Sequence, residues 1–433
     1  MPSVSFDTVI NDLQCYISSV YPAALLEKQK NIQLRSYIEK RLRDKDYSVE
    51  NMTFSEIAEK AYSEMAEYSV ITPFLNRDDV EEININRWND IAVTYSDGHT
   101  EKLREHFRSA EHAVDTVKRL LHYSGMIIDN AIPTAQGHLP NNTRITVLKE
   151  PIVDEGSGVS VSIRLLHPNK ITPKEIITVH TATEEMIEFL CMCLRYGISF
   201  VVAGATSSGK TTLLNALLAS IPDNKRVFTI ESGSRELSLV RTNENGEITN
   251  NVVHTLSRPS ENENYNISQE DLVVSSLRFN PDIVVVGEMR DTEAYTAVEA
   301  SLTGHTVVST IHALAADAAH IRLALLCQKK FPIDFNTSLS QAAMAFPIVI
   351  YTHKLEDNSR KVMDISECII TSSGKREYRK LFGYTIYSNR ITDGKLKIEG
   401  TFERFNPISD DLKKRFLQFG APIELINKFT KGV

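Results

Sequence analysis

Long apolar runs are missing from this chain. No window approaches the about 20 consecutive apolar residues that a bilayer-crossing helix needs, so helical membrane spans are not expected. Cysteine is sparse, with five residues at Cys15, Cys191, Cys193, Cys327 and Cys368, odd in number and scattered, which argues against a disulfide framework and suits a reducing compartment. Cys191 and Cys193 stand two residues apart on an expected helix, so they face different ways and lack the second ligand pair of a metal site. An excess of positive charge is also lacking. The 48 Lys and Arg against 56 Asp and Glu give a net charge of -8, which supplies no general pull toward nucleic acid or anionic lipid, and direct nucleic-acid binding is not expected. The opening residues carry Asp7 and Asp12 and have neither the basic region nor the small-residue cleavage site of a secretory signal, so a cytoplasmic protein is expected.

What is present is an ordinary globular composition, 42% apolar and 24% charged over 433 residues, long enough for two substantial domains with a helical extension. The stretch from Phe6 to Arg43 has apolar residues at helical spacing and reads as one or two surface helices. A further helix begins at Thr53, where Thr53 and Glu56 make a capping-box pattern ahead of Phe54, Ile57, Ala58, Ala61, Tyr62 and Met65. Period-two segments at 82–86 and 91–95, a turn at Asp97-Gly98, an amphipathic helix between Glu111 and Met126, and strand candidates at 143–148 and 158–166 describe a compact α+β domain. Pro168 and Pro173 mark the expected linker. The expected organisation is a helical extension over 1–68, an α+β domain over 69–168, a linker over 169–180 and an α/β domain over 181–433.

In the last of these, the apolar run 198–203 reads as a strand buried on both faces. It leads into Gly204, Ala205, Thr206, Ser207, Ser208, Gly209, Lys210 and Thr211, and then into a helix-forming segment from Thr212 to Leu218. This strand, loop, helix order is the context a phosphate-binding loop requires. The glycines let backbone N–H groups and the helix N-terminus face phosphate oxygens, Lys210 reaches the β and γ phosphates, and Thr211 ligates magnesium. The guanine-reading Asn-Lys-x-Asp motif is absent, since the nearest match, Asn427-Lys428-Phe429-Thr430, lacks the acid, so ATP is the expected nucleotide.

A second apolar run, Ile283 to Val286, ends in Gly287-Glu288, an acid placed where such an enzyme holds magnesium or its water shell. A third strand, 226–230, is followed by Glu231 and Glu236, one of which is expected to position the attacking water. A fourth, 306–310, is flanked by His305 and His312, both expected to sense the γ-phosphate.

These motifs resemble the ATPases of type II and type IV secretion and of type IV pili. The resemblance rests on Thr229-Ile230-Glu231, on Pro281-Asp282 through Gly287-Glu288-Met289-Arg290-Asp291, and on Thr303-Gly304-His305 to Thr310-Ile311-His312-Ala313, in the family order. Pro73 to Gly98, Leu139 to Val147 and Arg258 to Val273 look most like the CpaF-type branch, which serves tight-adherence pili. The resemblance covers roughly residues 70 to 370. It implies a RecA-like ATPase domain preceded by a smaller, PAS-like α+β domain. It also implies a homo-hexameric ring, with ATP and Mg2+ bound between the two domains and hydrolysis driving domain rotation against an inner-membrane platform. The protein would then be peripherally associated with the inner face of the cell membrane. Arg144 and Arg164 match the family's arginine-bearing strands and would reach the phosphates. The chain departs from the family at Ser232, where an acid is usual, at Leu314, where an Asn is common, and in the spacing of its second Glu. That residue falls five positions after Glu231, at Glu236, with Leu237 following as in the family, so Glu236 is favoured as the base over Glu231. Two other readings stay open: an ATPase of type IV secretion or DNA transfer, and a nucleotide-binding scaffold with little turnover.

Overall fold

In a computed structural model, which describes residues 4–20, 31–122, 124–139, 143–165, 171–258, 265–371, 374–392 and 395–430, the chain divides into two compact units, Met1–His167 and Pro168–Val433. The expected end of the α+β domain at 168, with Pro168, and the first two residues of the expected 169–180 linker lie outside the described residues, as does Pro259 of the approach to the acidic strand.

The first unit opens with three helices, α1 (Phe6–Val20), α2 (Asn31–Lys45) and α3 (Phe54–Ala66). They are more than surface helices, because Val9, Ile10, Leu13 and Ile17 of α1 meet Leu34, Ile38 and Leu42 of α2 and Ile57, Ala58, Ala61 and Met65 of α3 in a core of their own. The Thr53–Glu56 capping box forms as expected, with Thr53 Oγ1 accepting from the Glu56 N–H at 3.3 Å and Glu56 Oε2 accepting from the Thr53 N–H at 2.7 Å. The α+β part consists of β1 (Val80–Arg87), β2 (Asp90–Tyr95), β3 (Thr100–Lys102), the helix α4 (Ala110–His122), β4 (Thr134–His138), β5 (Arg144–Lys149) and β6 (Val159–Arg164). The strands form one antiparallel sheet in the order β3-β2-β1-β6-β5-β4. Alternation puts Ile83, Ile85, Ile145, Val147, Val161 and Ile163 on one face, against Val117, Leu120 and Leu121 of α4, and leaves the polar partners of each strand on the other.

The second unit begins with α5 (Pro173–Thr178), in the stretch expected to be linker. Pro173 starts this helix: Thr172 caps it, Glu175 completes a capping box, and proline is well suited to the first helical turn. Next come α6 (Glu184–Arg195), β7 (Phe200–Gly204), α7 (Lys210–Leu218), β8 (Arg226–Glu231), β9 (Asn251–Leu256), α8 (Gln269–Ser276), β10 (Ile283–Val286), α9 (Glu293–Leu302), β11 (Thr306–Ile311), α10 (Ala316–Lys330) and α11 (Phe335–Ala345). The unit closes with β12 (Ile348–Lys354), β13 (Arg360–Ile370), β14 (Arg376–Thr392), β15 (Lys395–Arg404), α12 (Asp410–Gln418) and α13 (Ile423–Thr430).

Its sheet runs β15-β14-β13-β12-β7-β11-β10-β8-β9, parallel from β12 to β9 and antiparallel from β12 to β15. The central strands β7, β11 and β10 are buried at every position because helices cover both faces. Phe200 and Val202 of β7 enter one core with α6 and α7, while Val201 and Ala203 enter the other with α9 and α10. This α/β order brings the carboxyl ends of β7, β11, β10 and β8 side by side, which is where ligands bind in open parallel sheets. Among the described residues no helix is long and apolar enough to cross a membrane.

Candidate nucleotide site

The loop after β7 is shaped by three backbone constraints. A Cβ at Gly204 would lie 2.3 Å from Ser208 Oγ and 2.6 Å from the Thr352 carbonyl oxygen, so only glycine fits at the strand end. Ser207 and Gly209 have φ of 60° and 90°, two left-handed residues that wrap the chain back on itself. Gly209 then starts α7 with no side-chain cap, which leaves helix N–H groups aimed into the loop for an anion. Lys210 is only 7% exposed, and its Nζ donates to the Ala205 carbonyl at 2.9 Å, inside the loop's concavity. Thr206, Ser207 and Thr212 are exposed and Thr211 is half-buried at the first turn of α7.

Two residues that sequence reasoning missed brace this loop. Thr352 Oγ1 sits 3.1 Å from Ser208 Oγ, and Arg360 Nε donates to the Ser207 carbonyl at 3.1 Å. Both come from the β12 and β13 pair about 150 residues downstream. No local pattern marks them.

At the end of β10, Glu288 joins Lys210 through His312. Lys210 Nζ is 3.4 Å from His312 Nδ1, His312 Nε2 is 3.0 Å from Glu288 Oε1, and Arg290 Nη2 donates to Glu288 Oε2 at 2.5 Å. An ammonium only donates, so Nδ1 accepts and the ring proton sits on Nε2. The His312 Nε2–H does not point along the line to Glu288 Oε1, and the contact is electrostatic rather than a formed hydrogen bond. Burial, with Lys210 and Arg290 adding to it and Glu288 opposing, holds the His312 pKa below the ordinary histidine value, so the ring is neutral at neutral pH.

His305 is not part of this cluster. It precedes β11 and His312 follows it, so seven residues at strand rise separate them, roughly 20 Å. In the register of the sheet only the carboxyl end of β11 lies level with the end of β7, where Ile311 pairs Ala203. The expectation that both histidines reach the γ-phosphate is corrected on this ground: His305 lies at the amino edge of the sheet, its N–H bonded to the Ala300 carbonyl at 3.1 Å.

The two candidate bases have different environments. Glu231 is 4% exposed, and its Oε1 accepts from the N–H groups of Glu236 at 2.7 Å and Leu237 at 3.0 Å. Asn215 Oδ1 of α7 accepts from the next N–H, that of Ser238, at 3.3 Å. Three successive amides of the 236–238 loop are thereby captured. Burial pushes the Glu231 pKa up to about 7, against the lowering effect of its two N–H donors. Gly287 permits this placement, because a Cβ there would stand 3.2 Å from Glu231 Cγ. Glu236 is half-buried, and its charge acts on Arg290, the partner of Glu288. A parallel device orders the turn after Glu288, where Glu293 Oε1 accepts from the N–H groups of Arg290 and Asp291 at 2.5 and 2.8 Å.

Arg144 and Arg164 belong to the first unit. They are direct cross-strand partners of β5 and β6, half-buried and exposed respectively, on the polar face of that sheet.

The donor set of the second unit suits ATP with magnesium. Glu288 Oε1 and Glu231 Oε2 are buried oxygens that accept no hydrogen bond among the described residues, as expected where a cation or its water shell belongs. No group of three or more His, Cys, Asp or Glu able to hold a metal occurs among the described residues.

The family described as Type II/IV secretion system protein matches residues 64–370. Among curated relatives, an uncharacterized protein of Methanocaldococcus jannaschii is 33% identical over 46% of this chain, and the match spans only about a third of that protein, 34% of its length. The type IV secretion system protein PtlH of Bordetella pertussis is 28% identical over 68% of this chain and 91% of its own length. A solved structure of the Legionella pneumophila ATPase DotB is 19% identical, with 80% of this chain and 82% of that one covered at a TM-score of 0.46.

Proposed function

The chain belongs to the type II/IV secretion system protein family, a family of secretion and pilus ATPases, and from that premise we propose that it is an ATP-hydrolysing hexameric motor that powers pilus assembly or protein secretion at the cytoplasmic face of the inner membrane. The observation that carries the proposal is the chain of contacts from Lys210 through His312 to Glu288. It joins the phosphate-binding loop to the acid of a neighbouring strand and to a histidine neutral enough to respond to an arriving phosphate.

In this reading the loop from Gly204 to Thr212 binds the phosphates, with amides of α7 and Lys210 as donors, and Thr211 and Glu288 hold magnesium. Magnesium, when bound, neutralises charge on the β and γ phosphates. Glu236 accepts the proton of the attacking water, and Glu231 keeps the Glu236 loop in place through its amides. His312 exchanges its contact with Lys210 for one with the γ-phosphate. A role for Arg144 and Arg164 in neutralising charge on the transferred group is proposed from the family resemblance alone. The CpaF-type branch is the proposed place within the family. Secretion through a type IV channel is the second reading, supported by the relative PtlH, whose name assigns it to such a system and nearly all of whose length is matched.

The division of labour between loop and acid is testable. Glu288→Gln is expected to bind a fluorescent ATP analogue within a few-fold of wild type, because binding rests on the loop amides and Lys210, yet to hydrolyse ATP at least about 100-fold more slowly. Loss of nucleotide binding as deep as that caused by Lys210→Ala would contradict it. The ring is tested separately. Light scattering at micromolar protein with ATP and magnesium is expected to give the mass of a hexamer, since domain closure is converted into force only when neighbours share the strain; a monomer under those conditions removes the motor reading.

A further inference from the structure

The β12–β13 hairpin of the second unit stands beside the phosphate loop as a fixed post. β12 runs parallel to β7 with Thr352 opposite Gly204, and β13 returns antiparallel to β12 with Arg360 opposite Lys354 and Val362 opposite Thr352. Thr352, Lys354 and Arg360 therefore share one face, the face on which Ile350 and Val362 pack with Leu213, Leu214 and Leu217 of α7. The turn between the strands is closed by the Leu355 N–H, which donates to the Ser359 carbonyl at 2.8 Å. Asp357 ties that turn outward, its carboxylate accepting from the Ser359 N–H at 3.0 Å and from the Ile398 N–H of β15 at 3.3 Å. At the start of β13, Lys361 Nζ donates to the His180 carbonyl at 2.6 Å and the Val362 N–H to the Thr181 carbonyl at 2.8 Å. The hairpin is thereby anchored to β7, to β15 and to the 180–181 segment, independently of the loop.

Two side chains of that face reach the loop. Thr352 Oγ1 donates to the Ala203 carbonyl at 3.2 Å, so its one hydrogen is used and the Ser208 hydroxyl, 3.1 Å away, is the donor to it. Arg360 Nε donates to the Ser207 carbonyl at 3.1 Å, and a Cβ placed on Gly209 would stand 3.2 Å from Arg360 Cδ, so this side chain lies across the loop from Ser207 to Gly209. Ser207 is the residue whose φ of 60° an L side chain rarely adopts, and such a conformation persists only where its surroundings over-determine it. From inside, Lys210 Nζ holds the Ala205 carbonyl at 2.9 Å. That tether is released when Lys210 turns its donors to phosphate oxygens. The contacts to the Ser207 carbonyl and the Ser208 hydroxyl use no loop N–H and are kept.

We infer that Arg360 is a positioning residue for the nucleotide: by holding the Ser207 carbonyl it keeps the loop in the left-handed turn that aims the N–H groups of the loop and of α7 at phosphate oxygens, before the nucleotide arrives and after Lys210 has let go. The inference rests on the reading of Gly204 to Thr212 as the phosphate loop and adds to it a residue 153 positions downstream of Ser207. The bond from Arg360 is charge-assisted and so stronger than one between neutral groups. Lys354 is the built-in comparison. It is the cross-strand partner of Arg360, carries the same charge on the same face, and forms no hydrogen bond with the loop among the described residues. A general attraction between positive charge and nucleotide would call on both residues, whereas positioning calls on Arg360 alone.

The test uses the full chain, with three measurements on each variant: the Kd of a fluorescent ATP analogue, kcat at saturating Mg-ATP, and the midpoint of thermal unfolding without nucleotide. R360M keeps an unbranched side chain and removes the donor. It is expected to weaken binding by about 10- to 100-fold, the scale of a lost hydrogen bond to a charged group, with kcat at saturation within about threefold of wild type. R360K, whose ammonium can still donate to the Ser207 carbonyl, should recover affinity to within about fivefold of wild type. K354M removes an equal charge from the same face and should bind within about threefold of wild type. An R360M variant with wild-type affinity overturns the inference, and so does a K354M variant weakened as much as R360M, since the effect is then one of charge alone. A weakened R360M that also unfolds at a lower temperature and is not recovered in R360K overturns it as well, because the role is then one of fold stability. Lys210→Ala separates these failures from that of the underlying reading: if it binds and hydrolyses like wild type, the loop is not a nucleotide site at all, whereas an impaired Lys210→Ala beside an unimpaired R360M removes only Arg360.

Discussion

Lys210→Ala is expected to lower ATP turnover by at least on the order of 100- to 1,000-fold, the scale on which loss of a preorganised electrostatic donor acts. The reason lies in where the ammonium is held. Lys210 is buried at the mouth of the loop, with Nζ 2.9 Å from the Ala205 carbonyl and 3.4 Å from His312 Nδ1, so it occupies the place where phosphate oxygens would take over its donors. The methyl group of alanine leaves the loop amides and the α7 N-terminus in place, and Glu288 keeps Arg290. Folding should therefore be spared. Thermal unfolding should shift little while steady-state hydrolysis collapses and nucleotide binding weakens. Near-wild-type turnover by this variant would falsify the assignment of the loop.

The second expected result separates the two acids after β8. Glu236→Gln should reduce single-turnover hydrolysis by about 100- to 10,000-fold, the range of general-base effects, with ATP affinity retained. Glu231→Gln should be far milder, because an amide oxygen can still accept from the Glu236 and Leu237 N–H groups that Glu231 Oε1 now holds. Glu231→Ala removes that acceptor, leaves two buried amides unpaired, and is expected to impair catalysis by releasing the Glu236 loop.

The raised pKa of Glu231, about 7, adds a sign to the experiment. A carboxyl whose folded pKa lies above its unfolded value binds protons more tightly when folded. Its effect is to make the protein lose stability as pH climbs from the unfolded value near 4.5 toward 7. Glu231→Gln, which cannot ionise, should accordingly gain stability over wild type at pH 8 and not at pH 4, read as the difference in midpoint of thermal unfolding. A dead Glu231→Gln beside an unimpaired Glu236→Gln would exchange the roles of the two residues.

The distinction between these glutamates shows where reading the sequence stops. Strand, loop and helix around Gly204 to Thr211 follow from local chemistry: an apolar run, glycines where the backbone must turn left-handed, and a helix former after them. The same holds for the Thr53–Glu56 box, which depends on residues three apart. A matching box at Thr172 and Glu175 was equally available, but Pro173 reads as a break unless it is recognised as the first residue of a helix. The two glutamates, by contrast, share composition and neighbourhood. Only the fold of the 232–238 loop turns one inward to hold amides and leaves the other half-exposed toward Arg290.

Contacts distant in sequence were out of reach for the same reason. Thr352 and Arg360 carry no motif, and they meet Ser208 and Ser207 because β12 lies parallel to β7 and turns into β13 beside the loop. The separation of His305 from His312 was nearer to legible, since a strand between two residues places them at opposite edges of a sheet, though it takes the parallel register of β11 with β7 to say which edge holds the phosphate loop. Likewise Arg144 and Arg164 stand side by side only because β5 and β6 are paired in register, since a slip of one residue would send them to different faces. What the sequence alone determined here is the local structure that depends on a few consecutive residues, namely the glycine-bearing loop between β7 and α7, the acid closing a buried strand and the helix caps, since backbone geometry at that range is set by the side chains themselves. Which glutamate, which histidine and which arginines stand together was decided by strand order and register, because those distances are set by the packing of the whole sheet.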